Sequence, residues 1–460
     1  MITKLKPFFA LALASAVTLS LFGCKKSTKK DEKFQLDPEL KQKLDTLTDD
    51  DELLGGELKN KTIKWMANWD INKGDNVPVD LALFKDKYGG KIEFYNVTYE
   101  ERYDKLAQAI QSGEGIDFFS AGDGDAFPKG AVRNMFVPVD DYIDFDSPLW
   151  ADVKQANDSL LWNGKHYVSV VSVTGDSCVV IYNKNTIAEN GFTDPAELYA
   201  QGKWDWNAFE SMLTDYVDTD NQHYGLDGWW FEFGLINTTG VPPVALENQK
   251  LVNNLGNPAM ERVQNWIETL YNKNLIAIGV GDYGWDIHPS YIGEGKQLFY
   301  PGGLYNFYCP KEEWVANFGE DAFFVPMPKD PKADQHYIPT GMDSYVLVSG
   351  GKNPEGVAKY LNCKRYTLMN SEIKAIADKQ MIETFGWTDE MVDMNNELKK
   401  LANANPKFDV SKGVSADCGK QLDDCLRYTA RGIAPWNETF ASINSSVDVF
   451  IEEINAKSEN

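Results

Sequence analysis

The sequence predicts an α/β fold in two lobes, each a mostly parallel sheet flanked by helices, joined by extended crossings. Three observations predict it. After residue 57 the chain alternates strand and helix patterns, which implies parallel pairing through crossover helices. Two apolar runs, Tyr167 to Val173 and Cys178 to Tyr182, are separated only by the polar break Thr174–Ser177, as suits a chain passing between lobes. About four hundred residues follow Glu57, more than one compact core usually holds.

Met1 to Gly23 reads as a segment outside the fold. Lys4 and Lys6 form a positive start, and Phe8 to Val17 is apolar but too short to span a bilayer. Leu21-Phe22-Gly23-Cys24 then resembles a lipobox, with Cys24 as the lipidated residue. An ordinary signal peptide beside a chance cysteine is the alternative. Residues 24–57 read as a flexible tether: Lys25–Lys30 is basic, Asp49–Glu52 is acidic, and aromatic residues are nearly absent. Within it, Leu36–Leu47 reads as a frayed helix.

The folded part opens with a strand at Thr62–Met66, where Ile63 and Trp65 alternate with polar neighbours. A helix follows over Val79–Tyr88, ending at Gly89-Gly90. Lys91–Val97 reads as a second strand, Tyr99–Gln111 as an amphipathic helix, and Gly115–Ser120 as a third strand. Past the crossing, a helix from Asn185 stops at Asn190-Gly191, a left-handed cap, and Asp205 is positioned as the N-cap of the next. Gly228–Phe231 reads as part of a strand, and Glu372–Lys400 as helical. These boundaries give lobe one as 58–172 plus 329–390 and lobe two as 173–328 plus 391–460.

Composition narrows the function class. The chain carries 45 Lys+Arg against 69 Asp+Glu, a net charge of −24, which argues against nucleic acid as a partner. Four scattered histidines offer no metal centre, and Asp218 and Asp220 hint at calcium without the later ligands of a full loop. With Cys24 assigned to lipid, five cysteines remain. Cys178 and Cys363 lie in apolar patterns, as buried small hydrophobes do. Cys418 and Cys425, if helical, are separated by about 10 Å of rise, too far for a disulfide. Neither Gly279–Trp285 nor Gly293–Lys296 has the spacing of a phosphate loop.

Several segments, in order, resemble one family. Tyr182-Asn183-Lys184 matches its Y-Y-N-K pattern, and Gly191–Pro195 followed by Trp204–Phe209 matches its G-[LI]-x-x-P-x-T-W segment. Ile116-Asp117-Phe118 and Asn134–Tyr142 match a strand and a following P-[LV]-D-[DE]-[YF] turn. Gly295-Lys296 through Tyr305, Ala322–Lys329 and Lys352–Leu361 match three further patterns. The chain thus resembles the extracellular solute-binding proteins of ABC importers, in the sugar-binding family that includes maltose-binding protein. The resemblance implies a type II periplasmic-binding-protein-like fold and a carbohydrate ligand captured by hinge closure, without a covalent step or a cofactor. It also implies membrane permease subunits as partners, a lipid anchor on the outer face of the cytoplasmic membrane, and a monomer.

Ligands of open α/β sheets sit beyond the carboxyl ends of the strands. That rule places Trp69, Asp70, Asp123 and Asp125 on one rim. Asp176 lies at the crossing, and Trp229, Trp230 and Trp285 offer aromatic faces, with core packing as the alternative for at least one of the adjacent pair. The resemblance adds Tyr305, Asn306 and Asp343, which stand at family turns that approach ligand. Trp436 is a further candidate, against the alternative of a capped helix corner. Aromatic rings stack on sugar faces, while Asp and Asn take the hydroxyls, since a buried hydroxyl without a partner is costly. The rival classes are a glycan-acting enzyme with two carboxylates about 5 Å or 6.5–9.5 Å apart, a glycan-adhesion lipoprotein, and a binder of a non-sugar solute such as a peptide.

Overall fold

The computed structural model describes residues 51–72 and 78–458, together with Gln42. The signal segment, Cys24 and most of the tether lie outside the described residues. The tether ends earlier than the sequence suggests: Asp51–Leu54 is a helical turn, Leu54 is buried, and its carbonyl accepts a hydrogen bond from the Tyr88 hydroxyl. Buried Leu54, with the Tyr88 and Lys359 side chains donating to the Leu54 and Gly55 carbonyls, holds this acidic segment on the fold.

In chain order the first elements are β1 (Thr62–Ala67), α1 (Val79–Tyr88), β2 (Lys91–Asn96), α2 (Arg102–Ser112), β3 (Phe118–Ser120), β4 (Phe136–Val137) and β5 (Val168–Thr174). Beyond the crossing come β6 (Val179–Asn183), α3 (Trp206–Tyr216), β7 (Tyr224–Leu226), α4 (Phe231–Asn237), α5 (Pro258–Asn272), β8 (Gln297–Gly302) and β9 (Ala322–Val325). The chain returns as β10 (Gly341–Val348), followed by α6 (Pro354–Met369), α7 (Ser371–Phe385), α8 (Asp389–Ala404), α9 (Ala416–Cys425) and α10 (Trp436–Asn455).

The first sheet runs β2-β1-β3-β10-β4, with β5 also on β10. The second runs β9-β6-β8-β7. The two-lobe α/β class stands, but the sheets are mixed rather than mostly parallel. β1 pairs parallel with β2 and β3, and β7 with β8, whereas β10 is antiparallel to β3, β4 and β5, and β6 is antiparallel to β8 and β9. A strand delivered by an extended crossing has no helix to carry it back to the starting edge, so it pairs antiparallel.

Local chemistry explains the ends. Gly89 and Gly113 take left-handed conformations and close α1 and α2. The Asp205 carboxylate accepts from the Ala208 amide at 2.9 Å and opens α3. Trp206 then stacks on Trp266 of α5, ring centroids 4.3 Å apart. The long helical pattern after residue 370 is split into α7 and α8 by Gly386 at φ 65°. Asp117, at the entry to β3, accepts from the backbone amides of Lys64, Lys352 and Asn353 at 2.8, 2.6 and 2.7 Å. It thereby ties β1, β3 and the start of α6 together. Cys178, Cys363, Cys418 and Cys425 are buried free thiols, the last two on α9 as the helical spacing requires.

Candidate ligand-binding cleft

The two sheets point strand ends toward the crossings. The chain leaves the first sheet at Thr174, enters the second at Val179, and returns at Gly341. A Cβ on Gly341 would lie 2.5 Å from Thr174 Oγ1, so only glycine lets the two crossing strands approach this closely.

The first rim is built from the ends of β1 and β3 and the start of β10. Trp69 follows β1, is 45% exposed, and stands edge-on to buried Trp65 at 5.3 Å. Asp123 and Asp125 follow β3. Asp125 is committed locally: it pairs with Arg102 and accepts from the Tyr103 hydroxyl. Asp123 stays half-exposed, 3.5 Å from Arg102. Burial and the neighbouring Asp125 push its carboxyl above the usual range, against Arg102 and Lys412. Asp343 opens β10 and lies 3.2 Å from Lys364, which also holds Asp80 at 3.0 Å. Asp70 is turned into the fold's own bonding, accepting from the Asn72 amide at 2.9 Å.

The second rim joins the start of β6 to the ends of β7 and β8. Asp176 accepts from the Tyr308 hydroxyl at 3.2 Å. Tyr305 is 55% exposed, and its ring covers the backbone of Gly303, where a Cβ would sit 2.5 Å from it. Asn306 is folded back, its amide donating to the Gly303 carbonyl at 2.8 Å.

The segment Gly228–Phe231 is not a strand. Trp230 has φ 73° and starts α4, so Trp229 and Trp230 are set on a sharp turn rather than on opposite faces of a sheet. Trp229 is 50% exposed and stands edge-on to Trp230 at 6.5 Å. Trp230 is clamped: Lys412 Nζ lies 4.1 Å and the Arg427 guanidinium 4.8 Å from its ring.

Two candidates lie elsewhere. Trp436 is 4% exposed at the start of α10, against Phe440, so it is a helix-corner core residue and not a rim residue. Trp285 is 71% exposed, but its ring lies over Gly279 in a loop beside the outer edge strand β7. That loop follows the bridge between Leu226 and Ile276.

Lysines missed in the sequence connect the rims. Lys412, whose carbonyl accepts from Lys129 Nζ at 3.0 Å, touches Trp230 on one rim and opposes Asp123 on the other. Lys399 is half-buried near Asp176 and Asp343; desolvation lowers its pKa and the two carboxylates counter that. Neither lysine sits in a motif, and a basic residue in an acidic chain was the single available signal.

Below Trp229, buried Asp227 accepts from the Gly228 amide at 2.8 Å and the Tyr283 hydroxyl at 3.0 Å. Burial outweighs these bonds and pushes its carboxyl up to about 7. Both folded and unfolded states are protonated well below the ordinary value of 3.8, and only the unfolded state is ionised between 3.8 and about 7. Stability from this group is therefore lost as pH rises through that window. Between pH 6 and 8, wild type is expected to lose about 1.4 kcal/mol relative to Asp227→Asn. Urea melts of both proteins at the two pH values check this; an unchanged difference would refute it.

A family model described as a bacterial extracellular solute-binding protein matches residues 81–365, well over half the chain. The chain belongs to this family. Solute-binding proteins of known structure share the fold. One is an ABC-transporter solute-binding protein from Thermotoga lettingae TMO bound with alpha-D-tagatose, 17% identical, covering 87% of this chain and 100% of that one at TM-score 0.56. A cyclo/maltodextrin-binding protein complexed with maltotetraose is 16% identical over 87% and 98%, TM-score 0.59. The GacH receptor of Streptomyces glaucescens GLA.O, seen unliganded and with acarbose, is 15% identical over 85% and 98%, TM-score 0.59. No curated protein matches this chain. The family is one of extracellular binding proteins, and the enzyme weighed from the sequence falls with that membership.

Proposed function

We propose that this solute-binding protein is the substrate-capturing lipoprotein of an ABC importer and that its ligand is an oligosaccharide held between the two rims. The observation that carries this reading is the set of half-exposed rings on those rims, Trp69 on one and Trp229 and Tyr305 on the other. Large, half-exposed aromatics beside open carboxylates are unfavourable on a plain surface and suit sugar faces flanked by hydroxyls. Asp123, Asp176 and Asp343 are the carboxylates within reach. The sugars bound by the three structural relatives support the same reading.

In this reading lobe one is 58–172 plus 329–390, extended back to Leu54, and lobe two is 173–328 plus 391–460. The lobes close by rotation about the crossings. Met1–Gly23 is removed on export, Cys24 is acylated, and the tether lets a monomer reach permease subunits from the outer face of the membrane.

A thermal-shift screen of the full chain in detergent against oligosaccharides, amino acids and short peptides tests the ligand class. A sugar at a hundred times its dissociation constant is expected to stabilise the protein by about 2.7 kcal/mol, and to be recovered intact. A shift with peptides and with no sugar would overturn the carbohydrate reading.

A further inference from the structure

We propose that the ligand is anionic: a uronic-acid-containing oligosaccharide whose carboxylate enters a groove beside Trp230 and pairs with Arg427 and Arg431. The proposal rests on the carbohydrate reading above and narrows it.

The groove encloses about 450 Å³ and is lined by Asp423, Asp424, Arg427, Tyr428, Arg431 and Ile433. It follows α9 and borders the second rim, because the Arg427 guanidinium lies 4.8 Å from the Trp230 ring and 5.4 Å from Phe233. A guanidinium over an indole can engage the ring through its face, which leaves its N–H edge, the fork that matches a carboxylate bidentately, for another partner.

The groove's own acids do not occupy that fork. Asp424 accepts from Lys420 at 2.6 Å, and Asp423 lies 3.9 Å from Lys412. Among the described residues, no carboxylate comes within ion-pair distance of Arg427, although Asp423 and Glu232 lie within its field. Arg431 is only loosely paired. Its Nε is buried without a hydrogen-bond partner, and the nearest carboxylate, buried Glu232, is 3.8 Å away. A buried guanidinium N–H without an acceptor is unfavourable, and an oxyanion paired with the rest of the guanidinium offsets that.

Charge balance points the same way. In a chain of net charge −24, a neutral ligand needs no cations at the rim, and stray ones would be neutralised by the surplus of acids. Here Lys412 and Arg427 lie against one tryptophan ring with Arg431 beside them in the groove, and among the described residues Arg427 has no counter-ion within ion-pair distance. Exposed Ile433 at the groove edge offers an apolar wall for the ring that bears the carboxylate.

Trigalacturonate, its neutral counterpart galactotriose, and citrate as a non-sugar polycarboxylate are titrated calorimetrically against the full chain in detergent. In wild type the acidic trisaccharide is expected to bind at least tenfold tighter than the neutral one. Arg427→Gln should bring that ratio to about one, and Arg427→Lys should retain part of it, since charge without the fork remains. Circular dichroism melts establish that each variant is folded; Arg431→Gln repeats the test should Arg427→Gln unfold. A wild-type ratio of one or less, or a ratio unmoved by both glutamine variants, overturns the proposal while the carbohydrate reading stands. Binding of citrate alone, lost in Arg427→Gln, would remove the carbohydrate reading and keep the anion groove. Binding of none of the three overturns the proposal.

Discussion

Replacing Trp229 by alanine should weaken ligand binding by about 10- to 100-fold and leave the melting temperature of the ligand-free protein within about 1 °C. Trp229 is half exposed, and its ring partner is the edge of Trp230 rather than a packed core. Removing it takes little from the folded state, so the loss appears on binding. Trp285→Ala is the matched control. It deletes a still more exposed indole, but from the loop beside the outer edge of β7, and affinity should change by less than about twofold. Calorimetric titration with the ligand identified by the thermal screen checks both. Equal losses in the two variants, or a collapse of Trp229→Ala in the absence of ligand, would mean that the second rim is not where the ligand sits.

The largest stability effect is expected at Asp117. The residue is 3% exposed, and its carboxylate takes three backbone amides from two separate segments. Asp117→Ala leaves those donors buried without partners, and each lost bond is unfavourable by about 1–3 kcal/mol before relaxation. The expected net loss is on the order of 3–5 kcal/mol, read as a fall in urea midpoint. Asp117→Asn keeps the shape and one acceptor oxygen, and should lose roughly half as much. A loss below about 1 kcal/mol for alanine would show that water replaces the carboxylate there.

What was legible in the sequence was local. β1, α1, β2 and the Asp205 cap follow from alternation, helical spacing and capping chemistry, which act over a few residues. The direction of β10 was not legible, because it depends on how the chain re-enters a sheet begun some 280 residues earlier. The same limit divides the rim residues. The strand-end rule found Trp69 and Asp123 from position alone. It could not tell Asp123 from Asp125, since the difference is made by Arg102 and Tyr103, about twenty residues upstream. Trp436 stayed open between rim and helix corner for a related reason: an aromatic after Pro435 reads alike whether it faces solvent or begins a buried helix face. Lys412 and Arg427 were passed over because single cations carry no spacing signal.

The position of β10 also governs the order in which the molecule can assemble. This strand bonds to β3, β4 and β5, so it fills the middle of the first sheet. It is translated only after every strand of the second sheet. An emerging chain can therefore complete its second sheet while the first still has a gap at its centre, with β3 and β4 unbridged. Closing that gap joins β3 to a partner more than two hundred residues away, a long loop to close and a slow step by topology. The N-terminal lobe, first to be made, is thus the last to be finished.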